Sequence, residues 1–151
     1  MLDPIIKTIE VPCTQEQAFN TFVNEVSHWW PLDKNSVSAM NGNVAKQVTI
    51  EARSGGKVYE IGNDDTEHHW GSVTKYQPHE LITIDWHIGL PPENASEVSV
   101  RFTAVSESQT KVELSHSRWE AFGEKAESMR SGYDQGWVGV FETAYRSACS
   151  G

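Results

Sequence analysis

The sequence predicts an α+β fold: a curved antiparallel sheet of about six to seven strands wrapped around one long C-terminal helix. Two observations carry this prediction. From residue 46 to residue 117 the chain reads as a run of short strands in which apolar and polar residues alternate, as in an antiparallel sheet with one wet face. From Ser131 to Ala148 the spacing becomes helical, and Tyr133, Trp137, Val140, Phe141, Ala144, Tyr145 and Ala148 share one broad side. A sheet with a single amphipathic helix buries both apolar faces when the sheet curls and the helix lies in its concavity.

Taken in order, Ile5 to Val11 alternate as strand one, with Ile5, Lys7, Ile9 and Val11 on one face. Pro12 ends it. Thr14-Gln15-Glu16-Gln17 then has the form of a capping box, and Ala18, Phe19, Phe22, Val23 and Val26 follow at helical spacing, so the first helix is expected over 15–26. Ser27 to Pro31 forms a corner, because Pro31 disfavours helix at Trp30. Asp33 to Gly42 is loop-like. The next strands are expected over 46–52, 57–61, 67–76, 80–88, 97–105 and 111–117, separated by turn signals such as Gly55-Gly56 and Gly62-Asn63-Asp64-Asp65. Glu120 to Arg130 is a polar connection into the last helix. No internal repeat or low-complexity tract interrupts the chain, and residues 1–151 are expected to form one domain.

The last helix carries an unusual second stripe of Gly132, Gly136 and Gly139, continued by Thr143. Each interior glycine costs a helix about 1 kcal/mol relative to alanine. The stripe therefore marks either close packing on the sheet or space left for a ligand.

Composition excludes several classes of function. With 21 acidic residues against 12 Lys plus Arg, the net charge is -9, which argues against general binding to nucleic acid or to an anionic membrane. No apolar run approaches the roughly 20 residues of a transmembrane helix, and the N-terminus lacks a basic-plus-apolar signal region. A cytoplasmic location is the expectation. Cys13 and Cys149 lie near opposite ends without a CxxC partner or a histidine at ligand spacing, so two ordinary thiols are expected. His68 and His69 are neighbours on a strand and point to opposite faces, which suits a metal poorly. Metal-binding, nucleophile-elbow, phosphate-loop and dinucleotide motifs are all missing, so neither metal nor cofactor is expected.

Several short pieces, in this order, resemble one family across essentially the whole chain. They are Val11-Pro12 before a helix with Phe19 and Phe22, Trp29-Trp30, Gly55-Gly56, Trp70-Gly71-Ser72-Val73 with Tyr76 and Pro78, Thr83 to Trp86, Thr110 to His116, and Gly136-Trp137. Together they resemble the START/Bet v 1-like superfamily, within it the branch named after the activator of Hsp90 ATPase homologue 1. The resemblance implies the helix-grip fold, with two short helices after strand one and a cavity between helix and sheet for apolar or amphipathic molecules. It does not imply a single activity, because fold and function are loosely tied. Relatives include lipid carriers, cyclases, hydrolase-like and stress-related proteins. The chaperone-activating members usually carry a further N-terminal domain, so that role transfers less readily.

Strand parity gives the residues expected around such a cavity. They are Val58, Glu60, Ile84, Trp86, Val100, Phe102, Leu114 and His116 from the sheet, and Tyr133, Trp137 and Phe141 from the helix. Glu60 or His116 is the candidate acid/base if the chain is an enzyme of hydrolase, cyclase or dehydratase type. Reversed parity would instead make Glu60 a solvated strand residue, and a lone inward histidine is more often a bonded core residue. Six tryptophans are present. Trp86 and Trp137 are expected to face each other inside; Trp29, Trp30, Trp70 and Trp119 fall near element ends, where a cavity mouth or a docking surface would lie. His87, of opposite parity to Trp86, belongs on the wet face. A small hydrophobic molecule is the expected partner, with binding in the cavity as the function. A homodimer and a chaperone-related interaction module are the other options.

Overall fold

The structure, a computed structural model, describes residues 2–150. Seven strands form one antiparallel sheet: β1 (Ile5–Val11), β2 (Gln47–Ile50), β3 (Lys57–Ile61), β4 (Glu67–Gln77), β5 (Leu81–Trp86), β6 (Ser96–Ser106) and β7 (Gln109–Ser117). Their spatial order is β1-β7-β6-β5-β4-β3-β2, so consecutive hairpins build the sheet and β1 returns to pair with β7. Register shifts interrupt the β3/β4, β4/β5 and β6/β7 ladders. Bulges of this kind bend strands and raise local twist, which curls the sheet.

The inward parity is as the alternation predicts. Val48, Ile50, Val58, Glu60, Ile82, Ile84, Trp86, Val98, Val100, Phe102, Val112, Leu114 and His116 are all buried. One close approach explains a glycine inside a strand. A Cβ on Gly71 would collide with the carbonyl oxygen of Asp85 on the paired strand, so no other residue fits there.

After β1, Thr14 caps α1 (Gln15–Val23): its side chain accepts from Gln17 N at 3.1 Å, and Gln17 Oε1 accepts from Thr14 N at 3.0 Å. The predicted single helix over 15–26 is broken, because α1 ends at Val23 and a one-turn α2 (Val26–Trp29) follows. Within the segment read as loop lies a further one-turn helix, α3 (Val37–Met40).

The C-terminal helix starts earlier than its apolar pattern suggests. A 3₁₀ stretch at Trp119–Lys125 leads into α4 (Ala126–Trp137), which continues through a π-helical stretch, Val138–Tyr145, into α5 (Arg146–Ser150). The π stretch explains one misplaced residue. Its wider turn takes more residues per revolution, so the inward face beyond Tyr145 moves on by one. Cys149 is buried there, where uniform α spacing would place Ala148.

This rod packs across the concave face. Trp137, Val140, Phe141 and Tyr145 are buried, and Tyr145 Oη donates to the carbonyl of Ala18 in α1 at 2.7 Å. No helix among the described residues is long and apolar enough to cross a membrane.

Candidate functional site

The space beside Trp137 is open. A cavity of about 300 Å³ lies between α4 and the segment from Trp30 to Met40, with Trp86 and Ile88 also in its lining. From the helix come Met129, Gly132, Tyr133, Gly136, Trp137 and Val140; from the other side come Trp30, Lys34, Asn35, Ser36 and Met40. A volume of this size is at the lower end of small-molecule pockets. The glycines make room for it. A Cβ on Gly132 would meet nothing within 4 Å, and one on Gly136 only Asn35 Nδ2 at 4.0 Å. Gly139 is exposed and outside the lining, so two of the three glycines serve the cavity.

Each wall has a local cause. Trp30 takes extended backbone ahead of Pro31, and its indole N–H donates to Asn35 O at 2.6 Å, folding the segment back on itself. Ser36 caps α3, accepting from Ala39 N at 2.9 Å and donating to Leu32 O at 2.9 Å. Glu60 then fastens this wall to the sheet. Its Oε1 accepts from Val37 N at 2.6 Å and from the Trp70 indole at 2.8 Å; its Oε2 accepts from Ser38 N at 3.1 Å and Ser38 Oγ at 2.8 Å. With 0% exposure, this carboxylate has exchanged water for four protein donors.

The inner wall is held by His116. Trp137 Nε1–H donates to His116 Nδ1 at 3.0 Å, while Nε2 lies 2.8 Å from Ser96 Oγ. Ser96 Oγ spends its single proton on Trp86 O at 3.1 Å. His116 Nε2 therefore carries the ring proton and donates it to Ser96, making His116 the neutral Nε2–H tautomer. Burial pushes its pKa down to about 3, which keeps it neutral. Trp86 and Trp137 do face each other, with ring centroids 5.7 Å apart.

Of the residues named from the sequence, Trp86, Tyr133 and Trp137 line the cavity. Val58, Ile84, Val100, Phe102, Leu114 and Phe141 are core residues outside the lining, and Glu60 and His116 lie behind its walls with their polar atoms engaged. Trp30, expected near a cavity mouth, lines it too, whereas Lys34, Asn35, Ser36, Met40, Ile88 and Met129 join the lining unforeseen, all on non-strand segments where parity gives no signal.

Two expectations are corrected. Trp29, Trp30, Trp70 and Trp119 are all buried, at 8%, 7%, 0% and 0% exposure, so no exposed tryptophan cluster offers a docking surface. His87 is also buried, since β5 ends at Trp86 and the turn beyond it no longer follows strand parity; its Nδ1 lies 3.0 Å from Leu90 O.

A second groove of about 420 Å³ is larger but mostly polar, walled by residues such as Cys13, Gln17, Asn20, Thr21, Glu25 and Cys149. Both cysteines are free thiols, and burial is the main reason Cys149 is pushed up to about 12, far from thiolate reactivity. Among the described residues, no group of three or more His, Cys, Asp or Glu could hold a metal ion.

A family model described as "Activator of Hsp90 ATPase homolog 1-like protein" matches residues 12–142. No curated protein matches the sequence significantly. Among solved structures, the self-sacrificing resistance protein CalC from Micromonospora echinospora is 25% identical, with TM-score 0.71 over 96% of this chain and 92% of that one. The anthrahydroquino-gamma-pyrone synthase Txn09 is 24% identical, with TM-score 0.67 over 97% of both chains. The Aha1 dimer from Colwellia psychrerythraea is 16% identical, with TM-score 0.69 over 99% of this chain and 97% of that one. The last two likenesses concern the fold alone. The expected helix-grip architecture is the one found.

Proposed function

The chain belongs to the family of activator of Hsp90 ATPase homolog 1-like proteins, and from that premise we propose that it binds a small hydrophobic or amphipathic molecule in the cavity between α4 and the Trp30–Met40 segment. One observation carries the reading: the helix leaves an unfilled space of about 300 Å³ at Gly132 and Gly136, walled largely by Trp30, Met40, Trp86, Ile88, Met129 and Trp137. Alanine at either glycine would favour the helix by about 1 kcal/mol without a close clash, so the vacancy is not a packing requirement.

Binding is favoured over catalysis because Glu60 and His116, the two candidate acid/base groups, stand outside the lining with their hydrogen-bonding capacity taken up. An activity resembling that of the Txn09 synthase would need its proton-transfer groups elsewhere in the cavity. We read the protein as cytoplasmic, in keeping with its two free thiols. We also carry over a homodimer from the dimeric Aha1 of Colwellia, to be checked by sedimentation. Native mass spectrometry of freshly purified protein tests the main reading: a retained small molecule released on denaturation supports it. A protein that is mass-pure and takes up no apolar probe contradicts it.

A further inference from the structure

The cavity wall contains a hydroxyl, that of Tyr133, whose proton the protein does not use. Tyr133 Oη accepts the indole proton of Trp86 at 3.2 Å. A phenol has one proton to give as well as lone pairs to receive, and no acceptor among the described residues takes the proton of Tyr133. Nor is the ring free to turn away. It packs edge-on to His116 with centroids 4.7 Å apart, stacks on Trp137 at 6.2 Å, and meets Trp119 at 5.9 Å. Two of those neighbours are themselves tied to the sheet: Trp137 through His116, and His116 through Ser96. Burial raises the pKa of the phenol, so it remains a neutral donor at physiological pH.

We propose that Tyr133 determines specificity, by selecting ligands that carry a neutral hydrogen-bond acceptor, a carbonyl or ether oxygen, where they meet its hydroxyl. The inference rests on the cavity being the binding site and adds what the ligand must present there. Without a ligand acceptor, that proton is left to solvent. A pure hydrocarbon expels that solvent and leaves the hydroxyl unpaired, whereas a carbonyl replaces it. Trp86 occupies an acceptor lone pair of the same oxygen and orients it, so Tyr133 presents its proton rather than competing for one from the ligand.

The test compares two shape-matched probes, 2-acetylnaphthalene and 2-isopropenylnaphthalene, which differ by C=O against C=CH2. Dissociation constants are measured for the wild type and for Tyr133→Phe. The wild type should prefer the ketone by about threefold to tenfold beyond any difference in their partition from water into hydrocarbon. In Tyr133→Phe that preference, read as the ketone-to-alkene ratio so that any loss common to both probes cancels, should fall toward one. A ketone preference that survives Tyr133→Phe overturns the assignment but leaves the cavity as the site. Failure of both probes to bind the wild type overturns the cavity reading and this inference together. Should the variant not fold, the carbonyl stretching band of the ketone bound to wild type decides. A shift to lower frequency than in hydrocarbon solvent supports the proposal, and an unshifted band overturns it.

Discussion

Trp137 Nε1 donates to His116 Nδ1 at 3.0 Å, and that bond turns an inward histidine into the fixing point of the cavity's inner wall. The other ring nitrogen is bound to Ser96, which in turn grips the carbonyl of Trp86. A helix residue and the end of a central strand are thus locked together through one neutral imidazole. Protonation of Nδ1 would set two N–H groups against each other.

The pH dependence of stability follows from this. The pKa of His116 falls from 6.5 to about 3 in the folded chain because of burial. Between those values the unfolded chain takes up a proton that the folded chain refuses. The contribution is fully present above about pH 6.5 and is lost as pH falls toward 3. The stability gap between wild type and His116→Gln, read by urea denaturation, should narrow by about 2 kcal/mol from pH 7 to pH 5. A gap that stays constant would show that His116 titrates normally in the folded protein.

Glu60→Gln should destabilise the protein and loosen the cavity's outer wall. Each carboxylate oxygen faces two donors: Val37 N and Trp70 Nε1 on one side, and the Ser38 N and Oγ on the other. Whichever way the amide is flipped, its NH2 group meets at least one group that can only donate: Val37 N and Trp70 Nε1 on one side, Ser38 N on the other. A loss of about 2–4 kcal/mol is expected, with faster hydrogen exchange at Val37 and Ser38. Unchanged exchange there would separate Glu60 from the wall.

Glycines in the helix and in the sheet should respond in opposite ways. Gly132→Ala, with open space around the new methyl, should stabilise by about 0.5–1 kcal/mol. Gly71→Ala, driven against Asp85 O, should prevent normal pairing of β4 with β5 and lower the melting temperature sharply. Calorimetry of the two variants checks both signs.

The parts of the fold that depend on periodicity were legible in the sequence. Alternation placed the buried face of β5, β6 and β7, and the Thr14 box marked the start of α1. The π-helical stretch was not, since its departure from 100° spacing appears only as Cys149 replacing Ala148 inside. Parity also turned Glu60 inward but could not reveal its partners. Three of its four donors come from Val37 and Ser38, in a segment whose sequence reads as loop. The cavity's outer wall was hidden for the same reason, because Lys34, Asn35, Ser36 and Met40 follow no period that a strand or a long helix would impose.

The vacancy beside Gly136 is the centre of the account, and filling it is the most direct test. Wild type and Gly136→Leu are titrated with 2-acetylnaphthalene while the indole N–H resonances of Trp86 and Trp137 are followed by NMR. Saturable binding should move both resonances in the wild type. The leucine, projecting into the cavity, should weaken binding at least about tenfold while the melting temperature stays close to that of the wild type. Equal affinity in the two proteins, or a wild type whose Trp86 and Trp137 signals do not move, would contradict a binding site between α4 and the Trp30–Met40 wall.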